Sequence, residues 1–346
     1  MDEYSKQFEI SGAEEILEYL PNDIVAILSD LGLDIKNQKF DLDVDNLFGS
    51  IFEYITSSIT SPLSIFGVIL AVLAICSLFL TLTTGERQRE IISYVSSVIL
   101  CGGIVFPIFD LLSKSVTTIS LCCGFNMTLI PIYSGILLAA GSVKSLATVN
   151  LLFVISQGVE IFISAIFTSL VGIYMSLSMS SSLNIFGGFS GFTTSTKKII
   201  DWVLGLSVTL YLSVLTVTGI ISSVSDTIVQ RIGKFAVNST IPIVGGVISE
   251  SFGTILGALK YLKSGVGVYV LCALVLILLP IIIETLIWRF VLMISSFVAD
   301  ALEQSTASFL LKSISNGVGI ILSVVASVSI VFVVSVVAVI MGGSGI

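Results

Sequence analysis

"LSIFGVILAVLAICSLFLTL", Leu63–Leu82, carries no charged side chain over its whole length. At about 1.5 Å per residue such a helix spans roughly 30 Å, the thickness of a bilayer's hydrocarbon core. That reading decides the solvent, and the rest of the chain agrees with it. Hydrophobic residues make up 55% of the sequence and charged residues 11%, against about 25% in soluble domains. The mean hydropathy is +1.10. A chain of this composition has more apolar surface than one aqueous core can hide. Further apolar segments at 91–112, 149–179, 201–222, 265–290 and 317–341 bring the expected crossings to six.

The net charge of −8 is concentrated at one end. Residues 1–60 hold 13 Asp and Glu against Lys6, Lys36 and Lys39. They read as an acidic, soluble N-terminal region ahead of a polytopic membrane domain over 61–346. Ser11 with Glu14 forms a capping-box pattern. Ile16, Leu17 and Leu20 then suit a short amphipathic helix ended by Pro21, and a second helix fits Asp23–Leu31, stopped by Gly32. Asp41, Asp43 and Asp45 lack the later Gly and Glu of a calcium loop, so a solvated acidic turn is expected. An acidic charge of this kind points away from nucleic acid.

Several chemistries lack their residues. The chain has no His, which removes the commonest general base and metal ligand. Cys76, Cys101, Cys122, Cys123 and Cys272 lie in apolar stretches, as buried thiols rather than a disulfide or zinc framework. No Gly-rich phosphate loop ends in Gly-Lys-Ser/Thr, and the "GGFSG" at Gly187–Gly191 is no nucleophile elbow. No catalytic, cofactor-binding or metal site is expected, and the protein reads as a non-enzyme.

A repeated pattern interrupts the apolar sequence. "TLIPIYSG" at Thr128–Gly135 is echoed by "STIPIVGGVISESFG" at Ser239–Gly253. In both, a Pro-Ile pair (Pro131, Pro242) is followed by Gly (Gly135; Gly245, Gly246), and the second continues to Glu250. Upstream of each lies an Asp, Asp110 or Asp226, followed at +2, +6 and +9 by Leu112, Val116 and Ile119 or by Ile228, Ile232 and Phe235. Each set is one helical stripe. The expected architecture is therefore all-α, with two Pro/Gly-broken hairpins in a duplicated unit over about 86–195 and 197–310. Irregular backbone at membrane depth needs shelter from protein or water, so the broken elements are candidate pore elements. The halves are parallel if the hairpins do not cross and inverted if they do. The competing reading is that Pro and Gly merely kink ordinary spans.

Two acidic residues lie inside apolar segments. Glu160, near the middle of 149–179, costs about 2.5–3.5 kcal/mol there if ionised and unpartnered. It either lines a wet cavity or carries protons, or it takes a structural hydrogen bond from a neighbouring helix through Gln157 or a Ser. The second reading is preferred. Glu284 stands five residues before Arg289, about 140° round the helix, so the two do not pair. Arg289 is expected to reach the interface by its length. Gly253–Gly257 and Gly187–Gly191 have the Gly-x-x-x-Gly spacing of close helix contacts, which leaves a homo-oligomer open. Lys and Arg divide evenly between the loops of the two sides. The short-loop charges favour an extracytoplasmic N-terminal region.

Taken together, "ISSVSDTIVQRIGKFAVNSTIPIVGG" (221–246) and the sequence that follows it to Phe290 resemble the stage III sporulation protein AE family. The resemblance is strongest over roughly 200–345. It implies a multi-pass protein of the mother-cell membrane around the forespore, working in a multiprotein secretion-like channel, a feeding tube, needed for forespore development. It further implies partners from the same operon, a secretion-type ATPase and ring-forming proteins, and a partner on the forespore side. Family precursors carry a secretory signal, so a start at Met1 without one implies a trimmed or mature form. An autonomous secondary transporter is the alternative, with Glu250 as its candidate ion-site residue on the broken elements.

Overall fold

A computed structural model describes residues 15–34, 39–40, 44–139, 143–182, 190–217 and 265–343. Helix α1, Glu15–Tyr19, ends before Pro21, whose extended backbone leads into α2, Asn22–Asp30. Val25 donates its N–H to the Pro21 carbonyl at 3.1 Å, so Pro21 begins the helix without needing a donor of its own. At the other end Gly32, with φ of 77°, takes the left-handed turn and donates to Ser29 O at 3.0 Å. A two-residue strand β1, Leu33–Asp34, pairs antiparallel with β2, Lys39–Phe40, matching Leu33 to Phe40.

Among the described residues six long helices follow: α3 Val44–Leu82, α4 Glu86–Ala139, α5 Val143–Ser182, α6 Ser190–Val217, α7 Gly265–Ala301 and α8 Ser305–Gly343. Five segments of these are long and apolar enough to cross a membrane: Ser58–Leu82, Glu86–Ser134, Phe153–Ser181, Gly267–Ala301 and Ser305–Val337. The protein is an all-α, multi-pass membrane protein. Of the six expected crossings, the one over 201–222 corresponds to α6, which is not among the five, and its last residues lie outside the described part.

The helices differ in how much they bury. α7 is buried on every side from Tyr269 through Leu278, and α8 is buried almost as completely from Gly317 to Val328. Helices apolar all round belong at the centre of a bundle. In α8, 83% of the most apolar window is covered by protein, against 17% in α3. α3 and the first half of α4 instead expose Leu78, Leu82, Ile91 and Phe106, which suits a lipid-facing periphery.

α4 departs from the expected layout. The span over 91–112, the stripe after Asp110 and the Pro131 element form one helix of 54 residues. At about 1.5 Å per residue it measures roughly 80 Å along its path, well beyond a single ~30 Å crossing. Leu112, Val116 and Ile119 do lie on its packed side, with Leu100, Ile104 and Ile108. The broken hairpin expected at Pro131–Gly135 is helical instead: the chain continues through Pro131 and Gly135 to Ala139. Neighbouring contacts hold the turn. Tyr133 stacks on Phe153 with ring centroids 6.2 Å apart, and Ser134 Oγ donates to Asn150 Oδ1 at 2.8 Å. Tertiary partners of this kind let a membrane helix tolerate the donor that proline removes.

Pro62 likewise lies inside a continuous helix, α3, which begins at Val44. The described residues before α3 pack against the long helices. Ile16, Leu20, Ile24, Leu28 and Leu33 join the same hydrophobic cluster as the long helices. A Cβ on Gly124 of α4 would run into the Tyr19 ring, so the missing side chain is what lets α1 lie on α4.

Candidate functional site

The buried polar residues converge where α4 meets α5. Glu160 is fully buried and points from α5 towards Asn126 of α4, itself 1% exposed. Asn126 Nδ2 lies 3.4 and 3.5 Å from the two Glu160 carboxylate oxygens and 3.2 Å from Ser156 Oγ. Ser156 donates its own proton to Phe153 O at 2.9 Å. The Cys123 thiol of α4 lies close to Glu160.

Helical geometry explains why these residues meet. Ser156 and Glu160 are four apart on α5, and Cys123 and Asn126 three apart on α4, so each pair shares one face. Tyr211 of α6 is also buried, and its hydroxyl bonds to Ser335 of α8. Asn126 Oδ1 and Gln157 Oε1 are buried with no hydrogen-bond partner.

Glu284 has a different environment. It is on α7 and accepts from Lys114 Nζ of α4 at 3.0 Å, while Lys114 also reaches Asp110 at 3.0 Å. Arg289, as its spacing requires, turns elsewhere: its guanidinium lies over Gly319 of α8. Asn126 and Lys114 were the partners that sequence reasoning missed. Both are polar residues on the packed or bordering face of an otherwise apolar helix, and that is the signal they offered. The remaining candidates, Pro242, Gly245, Gly246 and Glu250, lie outside the described residues, as does the stripe after Asp226. The second half of the duplicated unit therefore has no described counterpart to α4.

Cys76, Cys122 and Cys272 are buried, Cys101 and Cys123 partly so, and all five are free thiols. Among the described residues no three His, Cys, Asp or Glu side chains come together as a metal site.

The family model for stage III sporulation protein AE matches residues 27–343, which takes in every long helix and the polar cluster between them. The chain belongs to the stage III sporulation protein AE family. The curated Stage III sporulation protein AE of Bacillus subtilis (strain 168) is 22% identical over 300 residues, covering 85% of this chain and 75% of the relative. No solved structure matches the chain. Membership in this family assigns the chain a role in sporulation, and the apolar helices make it a membrane protein of that process.

Proposed function

We propose that the protein is the membrane component of a multiprotein, secretion-like channel between mother cell and forespore. It sits in the mother-cell membrane around the forespore with its N-terminal region outside the cytoplasm. A secretion-type ATPase, ring-forming proteins of the same operon and a forespore-side protein are its partners. The observation that carries this reading is the family match over 27–343 in a chain whose long helices pack into one bundle and whose sequence has no nucleotide-binding loop. The role is structural and non-catalytic, and the driving energy comes from another subunit.

Affinity purification from sporulating cells tests the proposal. Recovery of the ring proteins and the ATPase with the tagged chain supports it; isolation of the chain alone overturns it. Replacing both Gly245 and Gly246 with Val is expected to block forespore development while membrane insertion persists. The buried Glu160 favours a second reading, a solute or ion carrier working alone. Solute flux through the purified chain in liposomes, without partners, would decide for the carrier.

A further inference from the structure

Arg289 is half-buried in an apolar span, and among the described residues its guanidinium has no acid and no hydrogen-bond acceptor. Two lysines on the helices around it are satisfied: Lys114 by Asp110 and Glu284, and Lys312 by Asp300 at 2.6 Å. The nearest acid on its own helix, Glu284, is therefore taken, and it lies about 140° round α7. Gly319 makes room for the guanidinium, since a Cβ there would stand 3.1 Å from Arg289 Cζ and Nη1. The charged head thus rests against α8. A cation inside an apolar span is costly until an anion or water meets it.

The surroundings fix the kind of anion. On α4 the exposed face changes character at Asp110: Val98, Ile99, Phe106 and Phe109 precede it, and Ser113, Lys114, Thr117 and Ser120 follow. Such a change marks the depth at which hydrocarbon gives way to headgroups. The Lys114–Glu284 contact carries that level across to α7. Arg289 stands five residues beyond Glu284, about 7 Å along the axis on the hydrocarbon side, within reach of a headgroup for so long a side chain. From there Phe290, Met293 and Phe297, exposed by 59%, 55% and 73%, run on down one side of α7, within about 100° of Arg289. We propose that Arg289 and this apolar strip bind one anionic phospholipid, with the phosphate on the guanidinium and an acyl chain along Phe290, Met293 and Phe297. Phosphate offers paired oxygens that match the two-pronged guanidinium. Basic positions between spanning helices suit acidic headgroups, and a free phosphate would leave the strip unused. The site is independent of whether the chain serves a channel.

Thermal unfolding of the purified full-length chain in a neutral detergent tests the site, with phosphatidylglycerol, phosphatidylcholine or inorganic phosphate added at equal concentration. Wild type is expected to gain several degrees in Tm with phosphatidylglycerol, saturably, because the lipid binds only the folded state. Phosphatidylcholine and inorganic phosphate are expected to give less. Arg289→Gln is expected to lose the gain. Should that variant fail to fold, Phe290→Ser with Met293→Ser alters two exposed side chains alone, and is expected to need more phosphatidylglycerol for the same shift. No gain with phosphatidylglycerol, or an equal one with phosphatidylcholine, would overturn the proposal, as would a full gain from inorganic phosphate. So would an undiminished response in Arg289→Gln or in the double variant.

Discussion

Lys114 Nζ lies 3.0 Å from Glu284 Oε1, joining α4 to α7 across 170 residues of sequence. Glu284 is only 15% exposed while Lys114 is 49% exposed, so the acid depends on this partner more than the base does. Lys114→Ala is expected to lower stability by about 1 kcal/mol, the upper range for a partly exposed pair. Lys114→Glu combined with Glu284→Lys should recover part of the loss, although Asp110 then faces a new like charge. A double-mutant cycle on Tm in detergent measures the coupling. Additive effects would mean that the contact contributes nothing.

Gly317 lies in the buried part of α8, where a Cβ would strike the Met175 side chain on α5. Gly317→Val is expected to destabilise by about 1–3 kcal/mol through overpacking. Met175→Ala in the same chain should relieve part of that cost, since the obstruction is the flexible end of a methionine. The readout is the midpoint of thermal unfolding for the single and double variants.

The α7–α8 hairpin turns at Glu303, whose φ of 58° is left-handed. Glu303→Gly is expected to raise stability by up to about 1 kcal/mol, because glycine takes this conformation without strain. The next residue should behave in the opposite way. Gln304 is buried, donating to Leu73 O at 2.7 Å and accepting from Ser96 Oγ at 3.1 Å. Gln304→Leu leaves Ser96 without this bond and costs about 1–3 kcal/mol.

Gly124→Leu is expected to push α1 off α4 while leaving the long helices in place, because the obstruction it meets is the Tyr19 ring. Limited proteolysis should then cut within residues 15–34 faster than in wild type, with the remaining chain intact. Unchanged cleavage would show that α1 does not depend on this contact.

The apolar spans were legible because membrane solvation leaves a signal in every residue of a segment. Leu63–Leu82 has no polar interruption to misread. The short helices before Gly32 were legible from Pro21 and Gly32, whose backbone limits are local. Pro131 was not, since its effect depends on what surrounds it: the Tyr133–Phe153 stack and the Ser134–Asn150 bond come from α5, which no local rule includes. Glu160 announced itself by its cost. Its neighbour Asn126 is 34 positions away, and only the packing of two helices brings them together. The same holds for Lys114 and Glu284, whose spacing within either helix says nothing of the other.

The anchoring of α1 and α2 carries a consequence for biosynthesis. They rest on α4 and α7, and α7 starts about 230 residues after β1 ends. At about 5–20 residues per second a ribosome needs roughly 10–50 s to make that stretch. Throughout that interval the leading segment has already emerged but lacks half of its seat. Its Ile24 and Leu28 must be shielded by something else, whether lipid headgroups or a chaperone, until residues 265–301 arrive. Assembly of this protein thus joins helices made early to a helix made late.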